Sequence, residues 1–287
     1  MLFISPNSAK LRTMSVKTHL GAIPRSRARF GQVAAQARPF ISVAAAAAVL
    51  QTDPTRAAKQ LARWHEQGLL RRVRRGTYSV VPPAAVLQER VILDSWTLVP
   101  EVFNHAYVGG WSAAEHWDLT EQVFTTLLIL TTDHLKRTTL RIDATDLRAR
   151  HIPHAQWFGT AVLWREGTRV LVSDVHKTLI DMFSDPVLGG GIQHIAHCFR
   201  TYLRSDNKDP QRLLSYAQRL GAAPVFKRMG FLCETLKGPA DLTAACRERV
   251  TLGLANLDSS IASPRVSKIW QLRLPRQWET LLKDGSS

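Results

Sequence analysis

"TDPTRAAKQLARWHEQGLLRRVRRGTYSV", residues 52–80, opens on a helix-start signal and closes on a charged strand pair. Asp53 can accept a hydrogen bond from the free N–H groups of a first helical turn, and Pro54 at the first helical position forfeits no bond. Ala57, Leu61 and Trp64 recur at helical spacing with Ala58 and Ala62 beside them, which leaves Thr55, Arg56, Lys59, Gln60 and Arg63 on the other face. Gly68 ends the helix. Leu69, Arg71 and Val73 then alternate, Gly76 supplies a turn, and Tyr78 and Val80 resume the alternation. The pattern predicts a hairpin that carries Arg71, Arg72, Arg74 and Arg75 and is stopped by Pro82-Pro83.

Upstream, Ser42 is placed to cap a helix running through the alanines of "ISVAAAAAVL", and only residues 51–53 separate that helix from the next. This is the connection length of a helix-turn-helix. Earlier still, "RSRARFGQVAAQA" (residues 25–37) sets Phe30, Val33, Ala34 and Ala37 on one helical face, with Gly31 as its weak point. Helix, helix-turn-helix and basic hairpin make the element order of a winged helix, in which the second helix of the motif enters the major groove and the hairpin follows the backbone. On this reading Thr55, Arg56, Lys59, Gln60 and Arg63 face the bases, while Arg71, Arg72, Arg74, Arg75 and Thr77 hold phosphates. A solvated basic helical hairpin would account for the arginines but not for their clustering on both surfaces.

The distribution of charge points the same way. Of the +15 carried by 287 residues, fifteen Lys and Arg against Asp53, Glu66 and Glu89 place +12 in residues 1–90 and leave +3 for the rest. Such a surplus suits an anionic partner, nucleic acid or an acidic membrane surface. The membrane reading is set aside because the alanines supply no continuous face of large apolar side chains. "FISVAAAAAVL" is too short for a span of about twenty residues, and "LFIS" lacks the long apolar core and cleavage site of a signal peptide, so a cytoplasmic protein is expected. Residues 1–24 read as a flexible tail in which Met14 offers a second start, 25–83 as the winged helix, and 84–287 as a second domain. Cys198, Cys233 and Cys246 form no close pair and read as buried small hydrophobes.

Beyond Pro83 the expected class is α+β: a mixed α/β domain that ends in a helical bundle. Residues 84–105 read as a helix, "GGWSAAEHWDL" as a Gly-Gly break and another, and "TTLLILTT", "TTLRID", "TAVLW" and "TRVLVSD" as strands. From His176 the chain reads as mainly helical, with "KIWQLRLP" as a last strand. Metal binding by His151 and His154, or by His194, His197 and Cys198, finds no HExxH or third ligand at a diagnostic interval. Asp174, His176, Asp181 and Asp185 could hold a divalent ion for a nuclease or phosphotransfer reaction. More simply, Asp174 caps a helix whose buried face is Leu179, Ile180 and Phe183, and Asp185-Pro186 makes its exit turn. "LGGGI" lacks the GxxxxGK[ST] spacing of a phosphate loop. No catalytic residue, metal or cofactor is assigned.

The chain resembles the AbiEi family of antitoxins from abortive-infection type IV toxin–antitoxin systems. The resemblance runs through "LARWHEQGLLRRVRRGTYSV", "YVGGWSAAEHWDLTEQ", "VSDVHKTLIDMFSDPVLGGGIQHIA" and "FKRMGFLCE", and covers about four fifths of the chain. It departs from the family in its long basic segment before Pro39 and in the alanine run. The resemblance implies a non-enzymatic repressor that binds inverted repeats in its own promoter through the N-terminal domain, and whose C-terminal domain opposes a nucleotidyltransferase toxin from the same operon. The competing reading is an enzyme, a nuclease-like or nucleotidyltransferase-like C-terminal domain guided by a DNA-binding module.

Overall fold

Residues 25–37, 40–81, 94–142 and 145–283 are described by the computed structural model of the protein. The expected tail over 1–24 and the Pro82-Pro83 stop lie outside them. The first unit runs α1 (Arg25–Gln36), β1 (Phe40–Ser42), α2 (Val43–Leu50), α3 (Pro54–Glu66), β2 (Leu70–Arg74) and β3 (Thr77–Val80). Its caps are those the sequence suggests. Ser42 Oγ accepts the Ala45 N–H at 3.1 Å and Asp53 Oδ1 accepts the Arg56 N–H at 2.9 Å, while Gln51 takes a left-handed conformation (φ 50°) that turns α2 into α3. Val33, Ala46, Leu50, Ala57, Leu61 and Trp64 pack with Ile41, Leu70 and Tyr78 into one core.

The three strands form an antiparallel sheet in the order β1-β3-β2. Here the structure corrects the expected alternation: Leu70 and Val73 point inward and Leu69 outward. The pairing shifts between Arg72 and Arg74, so an extra residue sits in β2; Leu70 enters the core of the first unit, while Val73, three positions on and on the opposite face, packs beside Phe40. Gly76 (φ 81°) makes the turn.

The expected helix over 84–105 is corrected within its described part, 94–105. Residues 84–93 lie outside the described chain, Ser95–Leu98 form a single 3-10 turn, and α4 (Val99–Val102) is one further turn. The Asp133 carboxylate accepts the Asn104 N–H at 2.7 Å and turns the chain into β4 (Ala106–Val108), a strand too short to show in the sequence. α5 (Gly110–His116) follows the Gly-Gly break. Gly110 has φ 51°, and an added Cβ would collide with the Leu188 carbonyl oxygen and the Leu128 side chain.

Six strands then build a mixed sheet. β5 (Thr126–Thr131), β6 (Thr139–Ile142), β7 (Thr145–His151), β8 (Thr160–Arg165) and β9 (Thr168–Ser173) join β4 in the order β6-β7-β5-β4-β9-β8, with β5 parallel to β7 and β4 parallel to β9. β7 has no counterpart among the strands expected from sequence. Its Leu147 and Ala149 are buried between outward arginines, a period-2 signal masked by the flanking charge. One face of this sheet (Val108, Leu127, Ile129, Leu147, Val172) packs with Leu98, Val99 and Phe103, and also with Phe40 and Val73 of the first unit. The other face presents Tyr107, Leu128 and Leu130 to Leu188 and Trp111.

Helices α6 (Val175–Ser184), α7 (Ile192–Arg204), α8 (Pro210–Leu220), α9 (Ala223–Thr235) and α10 (Ala240–Arg247) enclose a further core. It is closed by a small sheet of β10 (Ala255–Asn256), β11 (Arg265–Ser267) and β12 (Leu272–Leu274), ahead of α11 (Trp278–Lys283). The three cysteines are buried and free. Arg228 on α9 is buried and donates to the carbonyls of Phe183, Ser184 and Asn256, which fastens the small sheet to the end of α6.

α6 meets the large sheet through a buried polar cluster. Lys177 is paired with Asp181 one turn on, and its Nζ also donates to Tyr107 Oη at 2.9 Å; Tyr107 Oη donates to Asp181 Oδ2 at 2.9 Å. All three side chains are essentially inaccessible. Burial raises the Asp181 carboxyl above its ordinary value, against the pull of Lys177 and Tyr107. Removing one member strands the others, so Asp181→Ala should lose about 3–5 kcal/mol of stability in urea unfolding, and Lys177→Met/Asp181→Leu should lose much less. Equal losses in the two variants would show that the cluster acts only by volume.

His176 is likewise buried, its Nε2 without a hydrogen-bond partner and its ring edge-on to Tyr202. Burial lowers its pKa below 6.5, with Asp174 opposing. A histidine kept neutral by folding gives its full stability above the unfolded pKa and loses it as pH falls through and below that value. Melting temperature should therefore drop on going from about pH 7 to pH 5, and drop less in His176→Phe, as calorimetry across that range would register.

Candidate nucleic-acid interface

α3 is held on three sides. Ala57, Leu61 and Trp64 bury its inner arc, the His65 ring lies 3.0 Å through Nδ1 from the Leu70 carbonyl on the sheet side, and Phe30 of α1 stands edge-on to Trp64 with centroids 5.4 Å apart on the other side. The arc left over carries Thr55, Arg56, Lys59 and Arg63, all toward solvent. Gln60 is corrected: it is half-buried and turns toward α1, because its position falls between the outer face and Trp64. Arg56 Nε lies 3.2 Å from Asp53 Oδ2, and the capped Arg56 N–H holds the Asp53 carboxyl below its usual value. That ion pair is exposed and weak, so the guanidinium is free to exchange a carboxylate for another acceptor.

Strand pairing sorts the hairpin residues. Arg71 pairs with Ser79, and Ser79 with Phe40, on the sheet face that packs toward Leu98 and Phe103. Arg71 is accordingly half-buried and already engaged within the chain. Thr77 is buried on the same side, so its hydroxyl is withdrawn from the set of outward phosphate contacts. Arg72 and Arg75 are exposed; the Arg74 side chain lies outside the described part, although its backbone pairs with Thr77. The surface that remains is Thr55, Arg56, Lys59 and Arg63 on the helix with Arg72 and Arg75 on the hairpin. Glu66 is the one carboxylate on α3 itself.

The carboxylates considered for metal-assisted chemistry are placed otherwise. Asp174 caps α6 through the Lys177 N–H at 2.8 Å and accepts from Tyr216 Oη at 2.9 Å. Asp181 is enclosed with Lys177, and Asp185 accepts the Val187 N–H at 3.1 Å and pairs with Arg150. His194 lies 2.7 Å from the Gly189 carbonyl, and burial lowers its pKa. Among the described residues no three His, Cys, Asp or Glu side chains gather as a ligand set. No helix of the described residues is long and apolar enough to cross a membrane.

No family model matches the chain, and no curated protein matches it. Among solved structures it is similar to the crystal structure of the Rv2827c protein from Mycobacterium tuberculosis, with a TM-score of 0.64 and 16% sequence identity, over 93% of this chain and 96% of that one. A likeness at that identity concerns the fold.

Proposed function

We propose that residues 25–83 are a winged helix-turn-helix that binds DNA, and that the chain is an antitoxin of the AbiEi kind acting from the cytoplasm. Its N-terminal domain represses its own operon, and residues 84–287 oppose a nucleotidyltransferase toxin. One observation carries the DNA-binding half: the exposed arc of a rigidly seated helix and the adjacent hairpin present Arg56, Lys59, Arg63, Arg72 and Arg75 together, on the part of the chain that holds +12 of its +15. A helix of about 10–12 Å diameter fits a major groove about 12 Å wide. Arginine in it can pair with guanine, while hairpin guanidinium groups grip phosphate without reading sequence. The antitoxin half rests on the family resemblance, which runs through the sheet and α6–α7 as well as the hairpin.

Division of labour between helix and hairpin is testable by salt titration on a duplex from the chain's own promoter and on a scrambled duplex. Arg72→Ala/Arg75→Ala should weaken both duplexes and flatten the slope of log affinity against log salt by about 0.9 for each phosphate no longer neutralised. Arg56→Ala should cost on the order of 1–3 kcal/mol at one base position and leave scrambled DNA nearly unchanged. Unaltered slopes in the hairpin variant would reduce the arginines to a solvated surface.

The two halves of the proposal separate in cells. With the neighbouring toxin gene expressed from an independent promoter, the Arg72→Ala/Arg75→Ala variant should still protect growth while a reporter on the native promoter is derepressed. Loss of protection in step with repression, at equal protein level, would remove the C-terminal role.

A further inference from the structure

The hairpin and α1 stand on opposite flanks of α3. At 100° per residue, His65 and Leu61 face the sheet while Trp64 and Gln60 face α1, and the exposed arc with Thr55, Lys59 and Arg63 lies between. On the α1 flank is a cleft of about 660 Å³. Phe30 and Trp64 form its floor, and Arg27, Arg29, Gln60 and Arg63 its rim. No carboxylate lines it. Arg27, Arg29 and Arg63 make no ion pair with a described residue, so three guanidinium groups and the Gln60 amide surround one space without an anion among the described residues to neutralise them.

We propose that this cleft is a second phosphate site, one that takes the sugar–phosphate backbone on the groove wall opposite the hairpin. The inference rests on the DNA-binding reading above and adds α1 to it. With α3 in the major groove its two flanks face the two strands that border the groove; Arg72 and Arg75 reach one and Arg27 and Arg29 the other. Arg63, on the boundary between the exposed arc and the cleft, continues the basic surface from the groove floor to that wall. Guanidinium suits the site because its planar fork takes two phosphate oxygens at once, while the aliphatic stems lie along the apolar floor and leave the charged heads in water. The basic segment ahead of α3 thereby acquires a role distinct from that of the hairpin.

The test uses the full chain, a duplex from its own promoter and a scrambled duplex, with phosphate-ethylation interference beside the salt titration. Arg27→Ala/Arg29→Ala should lower the salt slope by about 1.8 on both duplexes, at about 0.9 per phosphate. Interference should vanish at phosphates on one strand and persist at those that Arg72→Ala/Arg75→Ala silences. Arg27→Lys/Arg29→Lys, which keeps the charge and gives up the fork, should restore most of the slope. If the parent chain binds with a clear slope and Arg27→Ala/Arg29→Ala keeps both that slope and the full interference pattern, the cleft does not touch DNA and this inference falls while the DNA-binding reading stands. If the parent chain shows no salt-dependent binding to either duplex, both fall. Competition by polyglutamate, abolished in Arg27→Ala/Arg29→Ala without any change on duplex DNA, would reassign the cleft to an acidic polypeptide.

Discussion

The pairing of Lys177 with Asp181 beneath Tyr107 is the point at which the sheet and the helices become one body. Tyr107 comes from β4, in the interior of the six-stranded sheet, and the charged pair from α6, around which α7, α8 and α9 assemble. Moving two charges out of water is costly, and the cost is offset only if every donor and acceptor is satisfied. That condition fixes geometry. Lys177 must lie over the Tyr107 and Phe158 rings, at 5.3 and 4.9 Å, while its amine reaches both Asp181 and the phenol, and only one seating of α6 on the sheet allows this. An apolar contact of the same area would tolerate several.

The same logic recurs in two further segments. In "GGWSAAEHWDL" the Trp111 indole donates to the Thr126 carbonyl at 2.8 Å, Ser112 Oγ accepts the Leu128 N–H at 2.9 Å, and Trp117 donates to the Ser173 carbonyl at 2.7 Å. In "FKRMGFLCE" Arg228 spans four carbonyls, those of Phe183 and Ser184 at the end of α6 and of Asn256 and Leu257 at β10. Each group closes a hydrogen bond that the fold would otherwise leave open, at a cost of about 1–3 kcal/mol per buried orphan. These residues hold the scaffold together.

The surplus charge of the chain is arranged differently from the charge in its interior. Lys177 and Arg228 are buried and compensated, and across the sheet and helices Asp and Glu nearly balance Lys and Arg. In the first unit Arg27, Arg29, Arg56, Arg63, Arg72 and Arg75 face outward with little opposing charge, around a small core of alanine, leucine and tryptophan. Phe40 and Val73 join that unit to the layer beneath the large sheet, so the basic surface rides on a braced support.

What the sequence determined by itself was local. The caps at Ser42, Asp53 and Asp174, the turns at Gly68 and Gly76, the period of α3 and the segregation of charge were all legible, because each depends on residues within a turn or two of one another. The tertiary structure decided everything set by partners distant in sequence. It turned Leu70 rather than Leu69 inward, withdrew Thr77 and part of Arg71 behind Phe40, turned Gln60 toward α1, and inserted β4 and β7 where composition showed no strand. It also converted Asp181, a candidate metal ligand by residue type, into half of a buried ion pair. A side chain's type and spacing state what it can bond to; which partner it meets is fixed only when sheet order and helix seating bring residues 70 or more positions apart into contact, as Tyr107 and Lys177 are.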